Sequence, residues 1–180
     1  MLIVSMTTLI ETERLILREY VDADAEAFLR LNSDPEVLRY TGDASLLSVQ
    51  HALEVLCTHP IEDYRNYGFG RWACIRKDSD QQIGYIGLKY LPELDEVELG
   101  FRLERAHWGL VLATEGSLAC IRYGFEKLGL NSIIGLAIPE NLASVGVLKK
   151  CGLKLAGLMP YRSSDVAKYV IAAPGSGTAS

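Results

Sequence analysis

Two neighbouring stretches decide how this chain is read: Glu96-Val97-Glu98-Leu99-Gly100-Phe101-Arg102-Leu103 and, just after it, Trp108-Gly109-Leu110-Val111-Leu112-Ala113-Thr114-Glu115. The first is strand-like, and its alternation sends Leu99 and Phe101 to one face and Glu98 and Gly100 to the other. The second turns from that strand through a loop into a long helix expected over 113–128, with Leu118, Ile121 and Phe125 on one face and Gly129 as a left-handed stop. Free N–H groups at such a helix start, with the positive end of the helix dipole, form a place for phosphate oxygens. No Gly-Lys-Ser/Thr follows, so this is not a Walker loop, and the dinucleotide pattern Gly-x-Gly-x-x-Gly is missing too. An ordinary helix start capped by Thr114 accounts for the same residues.

Upstream, Arg14 to Glu19 alternates with Leu15 and Leu17 on one side, which predicts a first strand. A helix follows, capped by Asp22 or Asp24, carrying Ala25, Phe28, Leu29 and Asn32 and stopped at Ser33-Asp34-Pro35. Short helical pieces are expected between Pro35 and Tyr67, one of them capped by Ser48, carrying Ala52, Leu53 and Leu56 and ended by Pro60. Phe69 to Arg76 and Ile83 to Tyr90 then join Glu96 to Leu103 as an antiparallel meander through the turns Lys77-Asp78-Ser79-Asp80 and Pro92-Glu93-Leu94-Asp95. Downstream, Ser132 to Ile138 is a buried strand and Pro139 to Cys151 a second amphipathic helix ended by Gly152. Strands near Leu153 to Leu158 and Val166 to Ile171 finish the chain. The class is mixed α/β: an antiparallel half followed by a strand, helix, strand crossover.

In the second helix, Asn141 stands at the start, where its side chain can cap the helix or reach a ligand amide, and Ser144 lies one turn along the same face. Capping alone explains Asn141.

The 180 residues allow one domain, placed at 11–173 after an N-terminal extension of 1–10 and before a frayed, small and polar tail at 174–180. With 49% hydrophobic and 23% charged residues, neither disorder nor a fibre fits. Apolar runs fall far short of the ~20 residues that cross a bilayer. Met1 to Met6 has no basic segment and no long apolar stretch, unlike a secretory signal. Cys57, Cys74, Cys120 and Cys151 show no Cys-x-x-Cys pair or metal-ligand spacing and read as reduced, mostly buried thiols, so no metal is expected. These features point to a cytoplasmic protein. The net charge of −5 gives no attraction to nucleic acid or an anionic membrane, while an acidic surface tolerates a basic peptide or an amine.

Six pieces in order carry a resemblance: Thr12-Glu13-Arg14-Leu15-Ile16-Leu17-Arg18; Asn32-Ser33-Asp34-Pro35-Glu36-Val37; Gly84-Tyr85-Ile86-Gly87-Leu88; Glu98-Leu99-Gly100-Phe101; Trp108-Gly109 with Ala113-Thr114-Glu115; and Asn141-x-x-Ser144 with Lys150-Cys151-Gly152-Leu153. Over nearly its whole length the chain resembles the GNAT acetyltransferases, in particular the branch that acetylates ribosomal-protein N-termini. The resemblance implies a mostly antiparallel central sheet flanked by helices, with a splayed strand pair, Glu96 to Leu103 and Ser132 to Ile138, between which acetyl-CoA slots. It also implies a reaction: an acetyl group passes to a primary amine by direct attack, in a monomer or homodimer.

The same resemblance assigns residues. Backbone groups of Phe101 and Leu103 would hold the pantetheine arm, and the loop at Trp108, whose N–H groups run from Gly109 through Leu110, Val111, Leu112 and Ala113 to Thr114, would hold the pyrophosphate. Asn141 would bond the pantetheine, Ser144 would sit near the thioester sulfur, and Lys149 or Lys150 would touch the outer phosphate, although two exposed lysines also simply solvate a helix end. Glu98 is the candidate general base, since an ammonium cannot attack until its proton is removed. A solvated strand glutamate is the plain alternative.

Two departures stand out. Many relatives carry Gly or Ala where this chain has Val111; a helix start suits the Val backbone, so the objection is one of crowding. A Tyr seven residues after the Asn protonates the leaving thiolate elsewhere in the superfamily, and here that position is Leu148; Ser144 or water would serve, or the thiolate would leave unprotonated. The acceptor pocket falls to the region from Gly42 to Tyr67 and the loop after Leu158. The competing functions are acetylation of a small amine and a weakly CoA-binding interaction module of the same fold.

Overall fold

The computed structural model describes residues 8–175. The reading of Met1 to Met6 and all but the first two residues of the 174–180 tail lie outside that span. Strands β1 (Thr8–Glu11), β2 (Leu15–Arg18), β3 (Arg71–Arg76), β4 (Gln81–Leu91), β5 (Glu96–Leu103), β6 (Ser132–Ala137), β7 (Lys154–Tyr161) and β8 (Ser164–Ala172) form one sheet in the order β1-β2-β3-β4-β5-β6-β8-β7. Every neighbouring pair is antiparallel except β5 and β6. That exception follows from connectivity, since a helical crossover joins these two strands and a crossover returns the chain in the same direction. The helices are α1 (Ala25–Leu31), α2 (Pro35–Leu38), α3 (Val49–Thr58), α4 (Pro60–Tyr67), α5 (Leu112–Glu126) and α6 (Leu142–Lys150).

Alternation along the strands divides the core in two. Leu15, Leu17, Trp72, Cys74, Ile86, Leu88 and Leu99 pack with Leu112, Cys120 and Ile121 of α5 on one face. Ala73 and Ile75 pack with Ala25 and Phe28 of α1 and Ala52 and Leu56 of α3 on the other. Burial drives both layers at roughly 25 cal/mol per Å² of apolar surface. Ser48 caps α3 as expected, its hydroxyl accepting the His51 N–H at 3.1 Å. Pro60, expected to end that helix, occupies the first turn of α4, where a missing N–H costs nothing.

The structure differs from the sequence reading at β1 and on the inner face of α5. Thr8 to Ile10, placed in the extension, belong to β1, pair with β2 and bury Ile10. Thr8-Leu9-Ile10-Glu11 sets two apolar residues side by side and shows no alternation, and pairing with the edge of β2 makes it a strand. On α5, Leu118 is on the solvent side and the buried face runs through Gly116, Ser117, Cys120, Ile121 and Gly124. A Cβ on Gly116 would collide with Ile86, and one on Gly124 with Ile133. The helix lies so close to the sheet that small residues mark its inner face.

Candidate active site

Strands β4 and β5 are joined by a ladder from Gly84–Leu103 to Leu91–Glu96, whereas β5 and β6 share one register pair, Glu98 with Ile134. Both parallel strands continue past that pair without further pairing. They therefore open a V toward their C-terminal ends, with Glu98 at its vertex. From the open end β5 leads to the start of α5, and β6 leads to the start of α6, so two helix N-termini flank the mouth.

At the first of these, α5 begins without a side-chain cap; Thr114 is buried in the first turn and does not cap it as the plain reading supposed. The donors of Leu112, Ala113 and Thr114 thus open onto the mouth with the dipole of a 15-residue helix behind them. Gly109 has φ 73°. Val111, the residue before the helix, has φ 66° and ψ 6° and is exposed. This corrects the reading of its backbone as ordinary. A β-branched residue is strained in the left-handed region, so the objection to Val111 is dihedral before it is steric. The side chain of Trp108 donates to the Leu103 carbonyl at 2.7 Å, so one of the backbone groups assigned to the pantetheine arm already has a partner.

The loop is anchored from the turn between β1 and β2. Arg14 Nη1 donates to the Leu110 carbonyl at 3.0 Å, and Glu115 accepts from Thr12 Oγ1 at 2.6 Å and from Arg14 N and Nε at 2.9 and 2.7 Å. The Thr12-Glu13-Arg14 run, unexplained by sequence, fixes this loop. At the second helix start, Asn141 Oδ1 accepts the Ser144 N–H at 3.2 Å, which is the capping role. Leu148 is buried and fills the space over Gly135, where a Cβ would collide with it, so this position brings no hydroxyl to the site. Lys150 is exposed at the far end of α6, eight residues beyond Leu142 and so about 12 Å from the mouth. The structure does not bring it together with the others.

Glu98, Gly100 and Arg102 point away from α5. Glu98 is not simply solvated: its Oε2 accepts from Arg71 Nη2 at 2.6 Å, and both side chains are mostly buried. Arg71 reaches it by lying across Gly87 and Gly100, which face each other in the β4–β5 ladder; a Cβ on Gly100 would strike the guanidinium. Arg71 Nη1 also donates to the Gly87 carbonyl at 3.3 Å. Beyond it the Tyr85 ring has Arg71 Cζ at 5.7 Å and Arg102 Cζ at 5.5 Å from its centre. Arg102 Nη2 holds Asp43 Oδ2 at 2.6 Å, and Nη1 donates to Asn32 Oδ1. Burial by itself would lower the pKa of each arginine; Glu98 and Tyr85 outweigh it at Arg71, and Tyr85 and Asp43 at Arg102, so both are raised.

The region assigned to the acceptor borders this face. Asp43 also approaches Arg162, in the turn between β7 and β8, at 3.7 Å, and Asp63 of α4 pairs with Lys89 at 3.5 Å. Sequence reasoning missed Arg71, Tyr85, Arg102 and Asp43. The alternation that singled out Glu98 and Gly100 continues to Arg102, and that was the available signal.

The chain belongs to the GNAT acetyltransferases: the family model "Acetyltransferase (GNAT) domain" matches residues 14–154. Enzymes of this family use acetyl-CoA to acetylate amines, and this chain is an N-acetyltransferase by family. It is 34% identical over 155 residues to the uncharacterized N-acetyltransferase YoaA of Bacillus subtilis (strain 168), covering 86% of this chain and 87% of that one. The crystal structure of an acetyltransferase from Agrobacterium tumefaciens str. C58 matches with a TM-score of 0.80 and 29% identity over 94% of this chain and 96% of that one. A ribosomal-protein-S5-alanine acetyltransferase from Vibrio fischeri also matches with a TM-score of 0.80, over 96% of this chain and all of that one (100%), but its 15% identity shows the shared fold alone. Among the described residues no helix is long and apolar enough to cross a membrane.

Proposed function

We propose that this chain transfers the acetyl group of acetyl-CoA to a primary amine by direct attack in a ternary complex, with the reacting centre at the vertex of the β5–β6 opening. The single Glu98–Ile134 pair carries this reading, because it leaves a slot edged by unpaired strand and sets a carboxylate at its closed end. When bound there, acetyl-CoA supplies an activated thioester whose acetyl carbon gains the C–N bond as its C–S bond breaks. Backbone groups of Phe101 and Leu103 line the arm. The donors from Gly109 to Thr114, through Leu110, Val111, Leu112 and Ala113 beside Trp108, receive the pyrophosphate, as an uncapped helix start does for any anion. Asn141 keeps its amide N–H₂ for the arm while its oxygen caps α6.

Glu98 takes the amine's proton, directly or through one water. Arg71 engages Oε2, and no hydrogen bond engages Oε1 among the described residues, so one oxygen is fixed and the other stays available. Ser144, in the first turn of α6, is the hydroxyl for the departing thiolate in place of the tyrosine that Leu148 replaces. Lys150 stays outside this set because of its place on α6. A protein N-terminus and a small amine are both acceptors of the required chemistry.

Thiol release from acetyl-CoA, followed with a colorimetric thiol reagent against N-terminal peptides and small amines, tests the reading. Amine-dependent release is expected. Acetyl-CoA that neither binds nor turns over with any amine would instead leave a non-catalytic module of the same fold.

A further inference from the structure

The face beside Glu98 holds two mostly buried arginines against one aromatic ring, an expensive arrangement unless anions are at hand. Their counter-ions differ in kind. Glu98 is part of β5 and fixed by the sheet. Asp43 stands on the loop between α2 and α3, is half-exposed, and gives Arg102 a single oxygen, while its other oxygen reaches toward the exposed Arg162 at a loose 3.7 Å. The residue before it, Gly42, has φ 71° and open space where a side chain would be, so no packed side chain hems in Asp43 from that side. Asp43 therefore occupies Arg102 as an exchangeable carboxylate would. Replacing it with another carboxylate keeps the buried guanidinium paired throughout, which removes the main cost of the exchange. Glu98 and Arg102 lie four positions apart on β5, ~13 Å along the strand, so an acceptor reaching from one to the other meets an anion at its amine end and a cation at the other.

We propose that the acceptor amine carries a carboxylate, that Arg102 anchors this carboxylate over Tyr85 with Arg71 alongside, and that Asp43 holds the place until the acceptor displaces it. This rests on the reading that the acceptor enters on the Glu98 face. A polyamine brings no carboxylate that could take the place of Asp43 on Arg102. The carboxylate has two sources, the main chain of a free amino acid or an acidic side chain near the start of a peptide.

Calorimetric titration of the protein, with and without coenzyme A, separates these cases. One arm compares free L-amino acids, lysine and ornithine included, with their C-terminal amides; the other compares tripeptide amides with Glu or Gln second. The acid form is expected to bind at least about tenfold tighter in one arm, which names the source, and Arg102→Gln should bring the acid-to-amide ratio near one, with Arg102→Lys restoring part of it. Asp43→Ala should tighten acid binding several-fold, a gain that a merely structural aspartate would not give. Equal binding of acid and neutral forms in both arms overturns the proposal, as does weaker acid binding in Asp43→Ala. Should Arg102→Gln fail to fold, the ratios in the native protein and in Asp43→Ala still decide. A clear acid preference without acetyl transfer would overturn the proposed reaction and leave this anchoring intact.

Discussion

Glu115, in the first turn of α5, accepts both the main-chain N–H and the guanidinium of Arg14, a residue 101 positions earlier at the edge of β2. The pair ties the loop before α5 to the sheet, and a third bond, from Arg14 to the Leu110 carbonyl, orients that carbonyl. Burial would raise the Glu115 carboxyl, but the bonds from Thr12 and Arg14 outweigh it and hold it below the ordinary value of 4.5. The folded chain thus gives up this proton more readily than the unfolded chain. The stabilisation is present above about pH 4.5 and is lost as pH falls through the lowered folded value. Glu115→Gln should cost about 1 to 2 kcal/mol at pH 7 in urea unfolding, and the difference from the native chain should shrink below pH 4 to 5. A difference that stays constant with pH would show that the charge of Glu115 does not matter.

Val111 should yield to glycine with a gain. Its left-handed backbone strains a β-branched residue, and glycine removes that strain while adding some unfolded-state entropy, for a net stabilisation of about 1 kcal/mol by thermal unfolding. Removing an exposed side chain from the loop should also tighten coenzyme A binding. Weaker binding by the glycine variant would mean that Val111 itself contacts the ligand.

Two variants of Asn141 separate capping from recognition. Asn141→Asp keeps the oxygen that accepts the Ser144 N–H but loses the amide donors, so stability should hold while coenzyme A affinity falls. Asn141→Ala should lose both, with a stability cost of about 1 kcal/mol. If Asn141→Asp binds coenzyme A as the native chain does, only the cap remains of its assignment.

Glu98→Gln removes the basic oxygen but keeps the shape, and turnover should fall ~10² to 10⁴-fold with acetyl-CoA affinity barely changed. Gly100→Ala places a Cβ in the Arg71 guanidinium and should displace it from Glu98, lowering turnover without touching either reacting group. Ser144→Ala should reduce turnover more than binding. Full activity in Glu98→Gln with an unaltered pH profile would remove Glu98 from the mechanism and leave the acetyltransferase assignment standing.

Local order in the chain sets most of the elements. The period of two in Glu96 to Leu103 survives as β5, Ser48 and Asn141 cap the helices they precede, and Gly129 has the left-handed backbone expected after α5. Those features depend on residues a turn or a pleat apart, and a sequence displays such spacings directly. The tertiary structure alone decided the rest. Glu98 sits at the vertex because β5 and β6 pair there once and then part. Its carboxylate meets Arg71, 27 positions away, across two glycines that are opposite only in the β4–β5 register, and Arg102 meets Asp43, 59 positions away, because a loop folds over the sheet. Val111 takes its left-handed backbone under the same kind of constraint, between a strand end and a helix start whose positions the sheet and Arg14 fix. Such contacts depend on where whole elements lie relative to one another, and neither propensity nor periodicity records that.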